Sequence, residues 1–150
     1  MQTLTEDVQN LHLADTTVVR KPRTRTPMHL PLPPDIHTNP RVQFYGYEVS
    51  EEWLIAYGRK AVRPESAADM NDFSFIATAM KRMKRWTRIS TLSLQFIVRE
   101  DGEESQMISI CSEEEHHLRP IQAQVDALTE VVGKQPRWYT DAQGPEFYEQ

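Results

Sequence analysis

Apolar and polar side chains alternate most regularly over residues 89–99, where Leu92, Leu94, Phe96 and Val98 are interleaved with Ser93, Gln95, Ile97 and Arg99. A period of two predicts a strand with those four apolar residues on one face. Asp101-Gly102 supplies a turn and residues 107–111 a returning strand, so the pair predicts a β-hairpin. An earlier run, from Val42 through Phe44, Tyr45 and Tyr47 to Val49, is rich in the aromatic and β-branched side chains that suit a strand.

Between these strands the period changes to that of a helix. Ser50 is a good N-cap, Glu51 and Glu52 favour the positive end of a helix, and Trp53, Leu54, Tyr57 and Ala61 follow at helical spacing until Pro64. Ser66 is the next cap. It predicts a long helix to about Trp86, with Phe73, Ile76, Met80 and Met83 as its apolar stripe and Met70 and Ala77 beside it. Leu118, Ile121, Val125, Leu128 and Val132 predict a last helix, opened near Pro120 and stopped by Gly133 and Pro136. The order β-α-α-β-β-α predicts an α+β domain: a small three-stranded antiparallel sheet packed against about three helices. Trp138 and Tyr139, just past the last helix, are expected to pack back onto the domain, ahead of a tail over residues 141–150 that carries Phe147 and Tyr148.

Composition divides the chain at about residue 41. No aromatic residue precedes Phe44, no glycine precedes Gly46, and six of the ten prolines lie in the first 40 residues. A proline-rich arm without aromatics cannot offset the entropy of ordering by burying apolar surface, so residues 1–41 read as a disordered arm and 42–140 as the domain. Leu4, Val8 and Leu11 give the arm a weakly amphipathic start. Its prolines predict extended, polyproline II character further on. The arm carries five Lys/Arg against four Asp/Glu, and residues 42–150 carry 12 against 18. An acidic domain is a poor general partner for phosphate backbones. The single cysteine, Cys111, excludes an intrachain disulfide. With no secretory pattern at the start and no apolar run near the roughly 20 residues that span a bilayer, the expected location is cytoplasm or nucleus.

Three segments carry a resemblance: Gly46-Tyr47-Glu48-Val49-Ser50, Glu52-Trp53-Leu54, and Pro136-Arg137-Trp138-Tyr139. Their order and spacing resemble a group of small fungal proteins without an established activity, in which a strand leads into a Trp-containing helix and the domain closes on a Pro-x-Trp-Tyr element. The resemblance covers about residues 42–140. It implies a fungal origin and this domain boundary, and no cofactor or site residue.

Five places could carry chemistry. Lys81, Arg82, Lys84, Arg85 and Arg88 surround Trp86, a composition suited to an anionic partner, with the indole available for stacking. The alternative is a solvated basic helix end with Trp86 in the core. Arg20-Lys21-Pro22-Arg23-Thr24-Arg25 resembles an import signal or anion-binding tail, and Thr26-Pro27 beside it could accept a phosphate. Glu113, Glu114, Glu115, His116 and His117 near Cys111 include metal-ligand types. Neighbours on an extended chain point apart, however, and no second cluster completes a tetrahedron. The nearby glutamates raise rather than lower the pKa of Cys111, against a reactive thiolate. Glu51-Glu52 and Glu103-Glu104 are paired carboxylates with no pocket of their own. Leu30-Pro31-Leu32-Pro33-Pro34 could serve as a polyproline ligand or as plain linker.

No catalytic signature, nucleotide loop or metal framework stands out, so no catalytic residue, cofactor or metal is assigned. The sequence points to a non-enzymatic protein-interaction module whose partner is another protein rather than nucleic acid or membrane. A small enzyme with a pocket between sheet and helices, using Tyr45, Tyr47, His116 or His117, is the second reading. Nucleic-acid binding through residues 81–88 is the third.

Overall fold

The computed structural model describes residues 25–33 and 41–142. β1 (Gln43–Glu48) leads into α1 (Glu51–Lys60), whose Ser50 cap accepts the Trp53 N–H at 3.1 Å. A single turn, α2 (Pro64–Ala67), has proline at its first position, where the missing N–H is not needed. α3 (Asp72–Thr87) starts afresh because Asn71 Oδ1 accepts the Ser74 N–H at 2.9 Å. The long helix expected from Ser66 is therefore two helices, broken where an asparagine offers the backbone a cap.

The buried face of α3 also differs from the expected stripe. Phe75, Ala79, Met83 and Thr87 are buried, Ile76 and Met80 flank them half-buried, and Phe73 is 77% exposed. The cause lies on the facing helix. A Cβ on Gly58 of α1 would stand 1.9 Å from the Phe75 carbonyl oxygen. The two backbones touch there, and the seam follows that contact through small Ala79.

The hairpin forms as β2 (Ser93–Val98) and β3 (Glu104–Ser112), closed by Gly102 at φ 84° with the Glu103 N–H on Asp101 Oδ1 at 2.9 Å. The returning strand begins three residues before Met107. Phase again departs from expectation: Ile97 is fully buried and Phe96 is 56% exposed, because Leu94 already lies at the edge of the helical cover. A 3-10 segment, Glu113–Leu118, carries the chain to α4 (Gln122–Val132), which Gly133 ends in the left-handed conformation. Glu113 and Glu115 accept the Gln43 and Ser112 N–H groups, so the acidic run caps backbone.

The sheet has four antiparallel strands rather than three. β4 (Arg137–Asp141) pairs with β1 from Gly46↔Arg137 to Gln43↔Thr140 and meets β2 at Ile97↔Asp141 and Val98↔Thr140. The order β1-β3-β2-β4 thereby closes on itself. Trp138 and Tyr139 pack back as expected, but as members of a strand. Counting the two short turns, five helical segments accompany the sheet instead of about three. The main core lies between sheet and helices and is built on Tyr45, Tyr47, Leu54, Met83, Ile108 and Leu128. A smaller core inside the closed sheet holds Phe44, Ile97 and Met107.

Part of the arm joins this domain. Pro27 bridges to Ile121, and Met28, 2% exposed, enters the main core with Leu30 against its edge. Burying a methionine side chain in this way is worth about 2 kcal/mol. The weakly amphipathic start, the basic run up to Thr24, and residues 143–150 with Phe147 and Tyr148 lie outside the described residues.

Gly58→Ala is expected to force α1 and α3 apart. Overpacking of this kind costs about 2 kcal/mol, a fall in Tm of roughly 8 °C followed by circular dichroism. An unchanged Tm would show that the two helices do not meet through bare backbone.

Candidate functional site

The second half of α3 is amphipathic about a charged face. Met83 and Thr87 point into the core, while Thr78, Lys81, Arg82 and Arg85 recur three and four residues apart on the outer side. With Trp86 and Arg88 they form one wall of an open groove of about 990 Å³. Tyr57 and Ala61 at the end of α1 and Ala127, Glu130 and Val131 on α4 complete it. Tyr57 is braced by stacking on Trp53 at 5.3 Å between ring centroids.

Of the six basic-segment residues singled out from sequence, Lys81, Arg82, Arg85, Trp86 and Arg88 line this groove. Lys84, a third of a turn away, does not. Trp86 is 71% exposed, which overturns its assignment to the core and leaves the indole face available. Four cations thus meet one carboxylate, Glu130, in a chain of net charge −5. None of the four forms an ion pair among the described residues. Arg88 ends α3 in a left-handed cap, its carbonyl accepting the Gln124 side-chain amide at 3.0 Å. Gln124 also accepts the Ile121 N–H at 3.0 Å, so one side chain ties the groove rim to the first turn of α4.

A second, smaller groove of about 510 Å³ runs between Glu48, Trp53, Arg99, Ser105 and Lys134. Its two central charges are paired with each other, Arg99 on the Glu48 carboxylate, which also accepts from Ser105 at 3.1 Å.

The residues of the enzyme reading are not brought together, and none lines either groove. Tyr45 packs its ring on Trp138 at 5.2 Å. Tyr47 is fully buried, its hydroxyl 2.7 Å from Thr129 Oγ1 and 3.4 Å from the Val125 carbonyl. His116 and His117 are exposed on the 3-10 segment. Among the described residues no group of three or more His, Cys, Asp or Glu is placed to hold a metal ion. Cys111 is fully buried. Burial, with Glu115 adding to it, pushes its thiol up to about 12. Among the described residues no helix is long and apolar enough to cross a membrane.

Sequence reasoning missed a second assembly, around Met28. Arg119 Nε donates to the Met28 carbonyl at 3.1 Å, and Trp138 Nε1 donates to the Pro31 carbonyl at 2.8 Å. The only signal was an apolar Met-x-Leu, one of several short apolar pieces in the arm, and nothing local says which of them docks or where.

Burial raises four weak acids, Tyr45, Tyr47, Cys111 and Tyr139, and pushes Cys111 and Tyr47 each up to about 12 from ordinary values of 9.0 and 10.0. The unfolded chain releases the thiol proton above about pH 9 and the phenol protons above about pH 10, while the native chain keeps them. Stability is therefore intact below pH 9 and falls as pH rises toward 12. Urea unfolding between pH 8 and 11 is expected to show this decline, and Cys111→Ala is expected to remove the part that begins near pH 9. An identical slope in the variant would mean that Cys111 ionises in the native state.

No model of a known protein family, no curated protein and no solved structure matches this chain.

Proposed function

We propose that the domain is a non-enzymatic protein-interaction module whose basic groove receives an acidic segment of another protein. The convergence of Lys81, Arg82, Arg85 and Arg88 about the exposed Trp86, over an apolar floor of Ala61, Ala127 and Val131, carries this reading. Cations without ion-pair partners attract a carboxylate-rich chain and guide its approach, and arginine forks give it register. An aromatic and aliphatic floor holds apolar side chains set between the acids. A protein segment fits better than a nucleic acid. Residues 42–150 carry a net charge of −6, so a long polyanion leaving the groove meets a repulsive surface, while a short acidic peptide does not.

The exposed indole supports a second reading, in which Trp86 stacks on a base and the cations hold phosphates. In either reading the single cysteine and its burial fit a reducing compartment, cytoplasm or nucleus.

A fluorescein-labelled peptide of alternating Glu and Leu, titrated by anisotropy beside a labelled ten-nucleotide oligothymidine, separates the two. The peptide is expected to bind more tightly and to weaken with added salt. Arg82→Glu combined with Arg85→Glu is expected to cost at least roughly tenfold in affinity. Lys84→Glu, off the groove, is expected to change it little. Preference for the oligonucleotide would favour the second reading. Indifference of both probes to the double substitution would remove the groove from function.

A further inference from the structure

We propose that the cleft between the start of α4 and Trp138 is a peptide-docking site that residues 26–31 fill in cis. In trans it takes an extended segment of a partner protein with an unbranched apolar anchor three residues before a proline. The way the arm is held carries the inference. The Met28 N–H donates to the Pro120 carbonyl at 2.9 Å, and the Gln122 N–H donates to the Thr26 carbonyl at 2.9 Å. The His29 N–H donates to Gln122 Oε1 at 3.3 Å, Arg119 to the Met28 carbonyl, and Trp138 to the Pro31 carbonyl. All five bonds end on main-chain atoms of the arm. Only Met28 is buried as a side chain and only Leu30 is partly so, while Thr26, Pro27, His29 and Pro31 face solvent.

This is the division found where a protein recognises an extended peptide. Main-chain bonds supply affinity to any strand, and one or two pockets set specificity. The indole donates to the carbonyl of a proline, whose fixed φ leaves less entropy to lose on docking. Pairing is a single bridge at Pro27↔Ile121, whereas the strands of the sheet pair over several residues. Pro27 has no N–H to extend it. The arm is thus bound at the domain's edge.

The arm is tethered to β1 through residues 34–40. So short a tether gives it an effective concentration on the order of millimolar. At micromolar chain concentrations a second copy's arm therefore loses to the chain's own. A partner strand enters when it brings further contacts of its own or when the arm is let go. The cleft is separate from the basic groove and does not depend on it.

The probe is a fluorescein-labelled peptide of residues 24–33, titrated into the full-length protein and into Met28→Asp, which cannot seat its anchor. The variant is expected to bind the peptide at least tenfold more tightly than the wild type. Trp138→Phe in the same background is expected to weaken it several-fold, and Arg82→Glu with Arg85→Glu to leave it unchanged. A folded Met28→Asp protein that ignores the peptide would overturn the proposal. So would a wild-type dimer in sedimentation that the peptide dissociates, since the arm would then be crossing between copies. Amide exchange on the wild type decides the matter if the variant does not fold. The Met28 and Gln122 N–H groups are expected to exchange at least 100-fold faster than those of β3, and equal protection would make the arm a permanent part of the fold.

Discussion

The contact between Tyr47 and α4 positions the one helix that both exposed sites share. Tyr47 is fully buried, and its hydroxyl ends 2.7 Å from Thr129 Oγ1. Such a group is expensive to leave unpaired in the interior, so β1 and α4 hold one relative position. β1 in turn pairs with both β3 and β4, through Tyr47↔Ile108 on one side and Tyr45↔Trp138 on the other. Setting α4 against β1 therefore sets it against the whole sheet. Its first turn and Trp138 then hold opposite ends of the arm segment, and its outer face becomes a wall of the basic groove.

Charge follows from the same arrangement. Lysines and arginines in the last turns of α3 oppose the negative end of that helix, an ordinary reason for their presence. The stabilisation needs only that they lie near the end. It does not need four of them on one side, facing Ala127 and Val131 of α4 around an exposed indole. The helix dipole explains their number, and the packing of α3 on α1 explains their direction, because the Gly58–Phe75 contact fixes the rotation of α3 about its axis.

Features settled within a few residues were legible in the sequence. The Ser50 cap, the Asp101-Gly102 turn and the Gly133 stop depend on local hydrogen bonds or on backbone conformation that neighbouring residues cannot change. Rotational phase was not legible. Periodicity in α3 fits Phe73 or Phe75 as the inward residue, and only a glycine on another helix chooses between them. In the same way Phe96 and Ile97 differ by one step, and the extent of the helical cover decides which is buried. β4 was missed for a third reason: five residues with two aromatics read equally well as a packed tail, and only pairing with a strand over 90 residues earlier makes them a strand. Of the candidate site, the basic run was visible, but the same pattern placed Trp86 in the core or in solvent with equal ease. Met28 was invisible because its partners, Pro120 and Arg119, are as distant in sequence as those of β4.

The two exposed features meet in one turn. Gln124 accepts the Ile121 N–H and donates to the Arg88 carbonyl, so the first turn of α4 is joined to the rim of the groove. Gln122, two residues earlier, receives the arm through its own N–H and its side-chain oxygen. A helix start has N–H groups without internal partners, and here the arm's carbonyl and a side-chain cap satisfy two of them. The two sites therefore share the start of α4 but not its side chains: Gln122 holds the arm, and Gln124 holds the Arg88 rim.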